Sequence, residues 1–438
     1  MLEPRKDRAH NFLWLSVGLG ACVMLSHGVS FIAKVVFRAS LDPESYGIFA
    51  FFANAFPTFL LVAHLYLEFP IVSKVSENPT DRQMYERTKA ELSSTAIMTS
   101  GLVGVFFFFW TGATTGYWYL SAFTAMVLMV SAICNVLLAF SRGQDRLGPT
   151  GIAWLLGGVA RLAFLLCFVW GILFPRTLAS ACVAFTLPWV FWLIAVVHYE
   201  GLPRPAMPSL SFIRPYYRDA FLAFLTGLAL QLPPFASILI IMEAYGFVEL
   251  GDFDIALISY SLFSVIVAGA AYVVLAKARR MPAFTLYAGS LLKKLGPVLV
   301  VFSILIITTS SYLEPLGLAV LAKVGLPNTV YWPVVTLLVF AVPVRILLEL
   351  IVPYFQGHGV FKPVGVIAMA TVLGSLPILF IVIVNWSLVG AAIGIGLVNL
   401  VMLLALGLFG LSDERRNARA TGIKILHDVS DGQMDQPS

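Results

Sequence analysis

The chain has 438 residues, of which 59% are hydrophobic and 12% charged, with a formal net charge of +5; its mean hydropathy is +0.90. Soluble domains carry about 25% charge, so this composition excludes a protein whose whole surface faces water. The basic pI near 9.0 is not a nucleic-acid signal either, because the basic residues follow a membrane-topology pattern.

A bilayer crossing needs about 20 apolar residues. Apolar runs between polar breaks predict an all-α polytopic membrane protein of twelve spans. They lie near 12–37, 46–71, 92–111, 117–140, 149–173, 178–198, 218–242, 255–276, 293–312, 331–353, 363–384 and 388–410. Span 1 is too long for a signal peptide, lacks a small-residue cleavage site and contains Lys34, so it reads as a permanent helix. An ionisable side chain at a helix centre costs roughly 2.5–3.5 kcal/mol on insertion scales, so each one needs a reason. His27, Ser30, Lys34 and Arg38 follow steps of three or four and share one face. Arg38 alone is open to snorkelling; with His27 deeper on the stripe, the face reads as the lining of a wet cavity.

Span 2 carries a matching stripe of Asn54, Pro57, Leu61, His64 and Glu68, with a kink expected at Pro57. Glu68, near the cytoplasmic end, either pairs with Lys74 or belongs to the cavity stripe. In span 5, Arg161 lies too deep for easy snorkelling and reads as a cavity residue. Gln231-Leu-Pro-Pro234 in span 7 is a polar, kinked point suited to a hinge. Glu243, Glu249, Asp252 and Asp254 crowd the loop before span 8, and 311–330 reads as a short exposed hairpin. In span 10, Arg345 has Glu349 one turn on, the spacing of an intrahelical ion pair; even so paired, Arg345 should face protein or water. The polar tail from Ser412 reads as disordered. Cys22, Cys134, Cys167 and Cys182 all sit in apolar stretches without metal-ligand spacing, so neither a disulfide framework nor a metal site is expected.

The positive-inside rule sets the orientation. Of the 28 basic residues, 22 lie in the N-terminal arm, after even-numbered spans or in the C-terminal tail; segments after odd-numbered spans hold only Arg38, Arg176 and Lys323. Both termini are therefore expected on the cytoplasmic side. Phe140-Ser-Arg-Gly143 to Gly151 lies over Tyr354-Phe-Gln-Gly357 to Gly365 at an offset of 214, with two glycines and a proline coinciding. This suggests parallel repeats: a six-helix lobe at 1–200, a second at 201–411 and a tail at 412–438, around a central cavity.

Lys34, Arg161 and Arg345 lie within spans against Glu68 and Glu349, and a cationic cavity favours an anionic ligand that guanidinium groups bind bidentately. No nucleotide-binding, zinc-protease or nucleophile-elbow motif is present, so no catalytic residue, metal or cofactor is expected. No loop is long enough for an extramembrane catalytic domain.

Four segments together resemble the polysaccharide flippases, the O-antigen and repeat-unit exporters of the multidrug/oligosaccharidyl-lipid/polysaccharide (MOP) superfamily. They are Arg38-Ala-Ser-Leu41-Asp-Pro43-Glu-Ser-Tyr46-Gly47, Leu250-Gly251-Asp-Phe253-Asp-Ile-Ala256, Tyr354-Phe-Gln356-Gly-His-Gly359 and Leu388-Val-Gly390-Ala391-Ala392. The resemblance implies a multi-pass protein of the bacterial cytoplasmic (inner) membrane. Such a protein moves undecaprenyl-diphosphate-linked oligosaccharides to the outer leaflet by alternating access, coupled to an ion gradient. Its partners would be that anionic lipid-linked sugar, membrane lipids and the polysaccharide polymerase machinery, with no nucleic acid. Lys34, Arg38, Arg161 and Arg345, with His27 and Asn54, are then candidates to meet the substrate; Glu68, His64 and Glu349 are candidates for the coupling ion. Only Arg38 falls on a family motif position. Leu67-Glu68-Phe69-Pro70 departs from the family's Gly-rich end of span 2. The alternatives are a multidrug cation antiporter of the same superfamily, against which the cations of span 1 argue, and a membrane-embedded polymerase or ligase, for which no large outside loop exists.

Overall fold

A computed structural model describes residues 5–77, 82–144, 146–172, 175–202, 206–278, 281, 283–323 and 332–431. The helices are α1 (Arg5–Ser40), α2 (Pro43–His64), α3 (Glu68–Glu77), α4 (Arg82–Thr115), α5 (Trp118–Gly143), α6 (Gly148–Trp170) and α7 (Leu178–Thr186). After a 3-10 turn at Leu187–Phe191 come α8 (Trp192–Tyr199), α9 (Leu210–Tyr245), α10 (Phe247–Lys277), α11 (Phe284–Lys323), α12 (Trp332–Gly357) and α13 (Phe361–Asp431). Helix is what a bilayer demands, since every backbone polar group must be satisfied within its own segment. Among the described residues ten helices are long and apolar enough to cross a membrane. One of them, Phe361–Arg416, is 56 residues long and is interrupted at Ser387 (φ 52°, ψ −132°), so it makes two crossings.

Local chemistry sets several boundaries. Asp42 accepts from the Ser45 amide at 2.9 Å with Pro43 at the first helical position, and so starts α2. The two neighbouring α2 and α10 cross at Gly47 and Gly251. A Cβ on Gly47 would overlap the backbone of Phe247, and one on Gly251 would stand 3.0 Å from the Tyr46 ring. Small residues at such crossings give the van der Waals contact that drives helix association in lipid.

Three expectations are corrected. Span 2 is not one helix over 46–71: α2 runs unbroken through Pro57 and stops at His64, because Leu65 and Tyr66 are left-handed (φ 46° and 55°). Each such non-glycine residue costs of order 1–3 kcal/mol. The 311–330 hairpin is helical as far as Lys323, since the apolar 316–321 stretch continues the helix and exposing its backbone in lipid would be costlier; the rest of that hairpin lies outside the described residues. The tail is helical through Asp431, with Glu414 accepting from the Thr285 amide (2.8 Å) and hydroxyl (2.7 Å) at the start of α11.

In the first lobe α1 packs on α6, α4 on α5, and α2 on α4, α5 and α7; in the second, α9 packs on α13, and α10 on α12. The lobes meet where α10 lies against α1 and α2, and where α2 and α3 lie against α9. The bundle has a terminal end, where α1 begins and Glu414 of α13 meets the start of α11, and a far end, where α1 turns into α2 and α9 into α10. The segment linking the lobes is fastened to the first one. The Glu200 carboxylate, almost wholly buried, accepts from Tyr85 (2.6 Å), Arg146 (3.2 Å), Lys89 and Ser141. Glu91 accepts from the Ser209 amide at 2.9 Å and Ser94 from the Ala206 amide at 3.1 Å.

Candidate functional site

Between the lobes lies a cavity of about 420 Å³. The first lobe contributes His27, Ser30 and Lys34 from α1, Asn54 and Pro57 from α2, Trp154 and Arg161 from α6, and Phe185 and Trp189 from α7 and the 3-10 turn. The second contributes Gln231 and Pro234 from α9, Asp254 and Tyr260 from α10, and Arg345 and Glu349 from α12. The helical spacing read in spans 1 and 2 therefore does put His27, Ser30, Lys34 and Asn54 on a common wall. Six of the nine candidate residues line this space; Arg38, His64 and Glu68 do not.

At the far end the cations are paired. Lys34 Nζ donates to Asp254 Oδ1 at 2.6 Å, and Asn54 Nδ2 donates to the same oxygen at 2.7 Å. Tyr46 donates its hydroxyl to Asp254 Oδ2 at 2.9 Å. Arg38 donates to Asp252 at 2.7 Å and lies over the Tyr46 ring. Both ion pairs join α1 of one lobe to α10 of the other. Asp254 is 0% exposed, a burial that only this set of donors makes tolerable. Here the sequence reading is corrected: Asp252 and Asp254 lie inside α10 rather than in a loop, and Asp254 is the cavity carboxylate that was missed. The signal was Lys34 and Arg38 one turn apart at the far end of α1, which required acids at matching depth.

Arg345 donates through Nε to Glu349 at 2.7 Å, as its spacing foretold, and through Nη1 to the Leu230 carbonyl at 2.7 Å. Glu68 pairs with Arg142 at 2.7 Å rather than with Lys74; Lys74 reaches across to Asp219 on α9 (3.7 Å) and sits over the Tyr216 ring. The break at Leu65 accounts for this, since α3 starts a new direction at Glu68 and Lys74 faces α9. His64 accepts from the Tyr66 amide through Nδ1 at 3.1 Å, so its ring caps the break in the chain.

Arg161 stands apart. It is buried, its Nε donates to the Phe185 carbonyl (3.4 Å) and its Nη1 to the Ser26 carbonyl (3.3 Å) and Ser30 hydroxyl (2.5 Å). Its guanidinium lies over the Phe185 and Trp189 rings. Nη2 donates to no described residue, and no described carboxylate pairs with Arg161. Beside it His27 lies 5.1 Å from the Trp154 ring. The described lining thus holds three cations, Lys34, Arg161 and Arg345, against two carboxylates, Asp254 and Glu349. One positive charge is left over, and geometry locates it at Arg161.

The chain resembles known transporters in structure. An inward-facing multidrug resistance MATE family transporter of the MOP superfamily superposes with a TM-score of 0.64 at 15% identity, covering 92% of this chain and 99% of that one. A MOP superfamily transporter from Pyrococcus furiosus, described as having a binding pocket of reverse polarity, gives 0.60 at 15% identity over 92% and 95%. An outward-facing MATE transporter of that superfamily gives 0.59 at 15% identity over 92% and 96%. At such identities these likenesses establish the fold. No curated protein matches the sequence. The family model for polysaccharide biosynthesis proteins matches residues 10–278. Matched over more than half its length by that family model, and sharing the fold of these transporters, the chain belongs to the polysaccharide biosynthesis protein family.

Proposed function

We propose that this transporter is a flippase for polyprenyl-diphosphate-linked oligosaccharides, carrying them from the cytoplasmic leaflet, at the terminal end, to the outer leaflet of a bacterial inner membrane, at the far end. The observation that carries this reading is Arg161, a buried guanidinium on the cavity wall with an unused donor edge and no carboxylate. Arginine binds phosphate oxygens through paired N–H groups, and low dielectric around the site strengthens that attraction. The aromatic rings of Phe185, Trp189 and Trp154 beside it suit sugar faces and the first isoprene units. Arriving anionic substrate would compete with Asp254 for Lys34, loosening the contact between α1 and α10 that holds the far end shut. Release there delivers the repeat unit to the polymerase machinery. Export of a cationic drug fits less well, because the one charge left over in the cavity is positive.

Mass spectrometry of polyprenyl-diphosphate lipids from cells depleted of the protein tests the reading, paired with a probe of which leaflet displays the sugar. A complete repeat unit accumulating on the cytoplasmic leaflet, with loss of surface polymer, is the expected result. Accumulation on the outer leaflet would move the role to polymerisation, and unchanged lipids would reject a sugar-lipid cargo.

A further inference from the structure

Span 2 stops being helical at Leu65 and Tyr66, shortly before Pro70, whose ring cannot donate to the Tyr66 carbonyl. Leu65 and Tyr66 are both left-handed, a conformation that glycine or asparagine adopts readily and these residues do not. Backbone outliers of this kind persist only where their surroundings over-determine them, and they gather at switches. The surroundings here are specific. His64 accepts the Tyr66 amide. The Tyr66 ring stacks on Phe69 at 4.6 Å and over His64 at 5.9 Å. Its tip lies against Gly227 of α9, where a Cβ would overlap the ring. Gly227 is one turn before Gln231, which lines the cavity, and Tyr66 is within electrostatic reach of Arg345, which lines it too. A side chain of the first lobe is thus laid onto the second lobe one helical turn beyond the cavity lining, on its terminal side.

We propose that the Leu65–Leu67 break is the terminal-end gate of the cavity and that Tyr66 is its bolt. Returning Leu65 and Tyr66 to the right-handed region extends α2 and withdraws the ring from Gly227. The closed position is held by aromatic contact, against a backbone that relaxes on opening. The far end is held instead by the Lys34–Asp254 and Arg38–Asp252 ion pairs. The far end therefore answers to charge at two short ion pairs, and the terminal end, where one longer inter-lobe pair joins Lys74 to Asp219 at 3.7 Å, answers mainly to the Tyr66 contact and its backbone. That difference lets one end open while the other stays shut.

The gate is read without any cargo, so its test stands apart from the substrate question. Thr58 lines the cavity, and Thr58→Cys, with the four native cysteines replaced, is the reporter. A membrane-impermeant maleimide is applied to each face of sealed vesicles whose orientation is fixed by protease access to a C-terminal tag. Tyr66→Ala should speed labelling at least tenfold from the terminal face and leave the far face unchanged. Gly227→Ala should speed it severalfold alone and add nothing on top of Tyr66→Ala. Tyr66→Phe should label at the parental rate. An unchanged rate in Tyr66→Ala, equal acceleration from both faces, or a Gly227→Ala effect that survives without Tyr66 would overturn the gate. Should Tyr66→Ala fail to fold, Leu65→Gly decides, because it relieves the strained backbone of the closed state while keeping the Tyr66 contact. Slower labelling supports the gate, and labelling at or above the parental rate overturns it.

Discussion

Arg345 donates to the carbonyl of Leu230 at 2.7 Å, the acceptor that Pro234 leaves without its helical donor, since proline has no N–H to return to the residue four before it. The kinked point in α9 is thereby pinned to α12, and Tyr260, which receives a hydrogen bond from Asn399 at 2.6 Å, lies beside the same guanidinium. Arg345 is engaged in holding two helices together. Arg345→Leu strands both the Leu230 carbonyl and Glu349, and removing one partner of a buried pair costs about 3–5 kcal/mol. Its melting temperature in detergent should fall by many degrees, and Pro234→Ala should recover part of the loss by restoring the missing amide. No recovery would mean that the carbonyl contact contributes little.

Arg161→Ala should reduce surface-polymer export to background in a complementation assay while protein level and melting temperature stay near parental. The Ser26 carbonyl keeps its Ser30 donor at 2.9 Å in that variant. Arg161→Lys should restore only part of the activity, because it keeps the charge and loses the fork. Parental export by the alanine variant would remove Arg161 from the substrate path.

Lys34 and Asp254 should couple strongly. Either Lys34→Met or Asp254→Asn alone leaves one buried charge unpaired, whereas the double variant removes both. Thermal unfolding of the four proteins should give an interaction energy of about 1–3 kcal/mol, the range for contacting residues. Additive losses would show that Asn54 and Tyr46 suffice to hold Asp254 alone.

Glu68→Gln should leave the pH profile of transport unchanged and lower the melting temperature. Glu68 lies outside the cavity lining and is bound to Arg142, so its loss removes the carboxylate from a buried arginine, which keeps the Leu138 and Asn135 carbonyls, without touching the transport path. A shifted profile would return Glu68 to ion coupling.

Much of this was legible in the sequence, for identifiable reasons. Helical spacing placed His27, Ser30 and Lys34 on one wall because a membrane helix keeps its register over many turns. Insertion cost singled out Arg161 because no local acid could explain it. What stayed hidden depended on distant parts of the chain. Lys34 finds Asp254 across 220 positions, and periodicity within span 1 cannot know what α10 presents. The two left-handed residues are not Gly, Asn or Pro; Pro70, four residues after Tyr66, cannot donate to its carbonyl, and Gly227 on another helix makes room for the ring. The 214-residue offset sets Arg142 against Gln356, yet Arg142 has Glu68, while the buried Gln356 amide has no partner among the described residues.

The fastening of the lobe-joining segment through Glu200, Glu91 and Ser94 decides where the machine can bend. A strap riveted along its length to one body cannot serve as slack between two. The first lobe carries residues 206–209 as part of itself, so any swing of the second lobe would turn on the root of α9, beside the Lys74–Asp219 contact. The same rivets limit how far that root can drift, so the stroke the flippase reading requires would be a short rocking about a fixed heel.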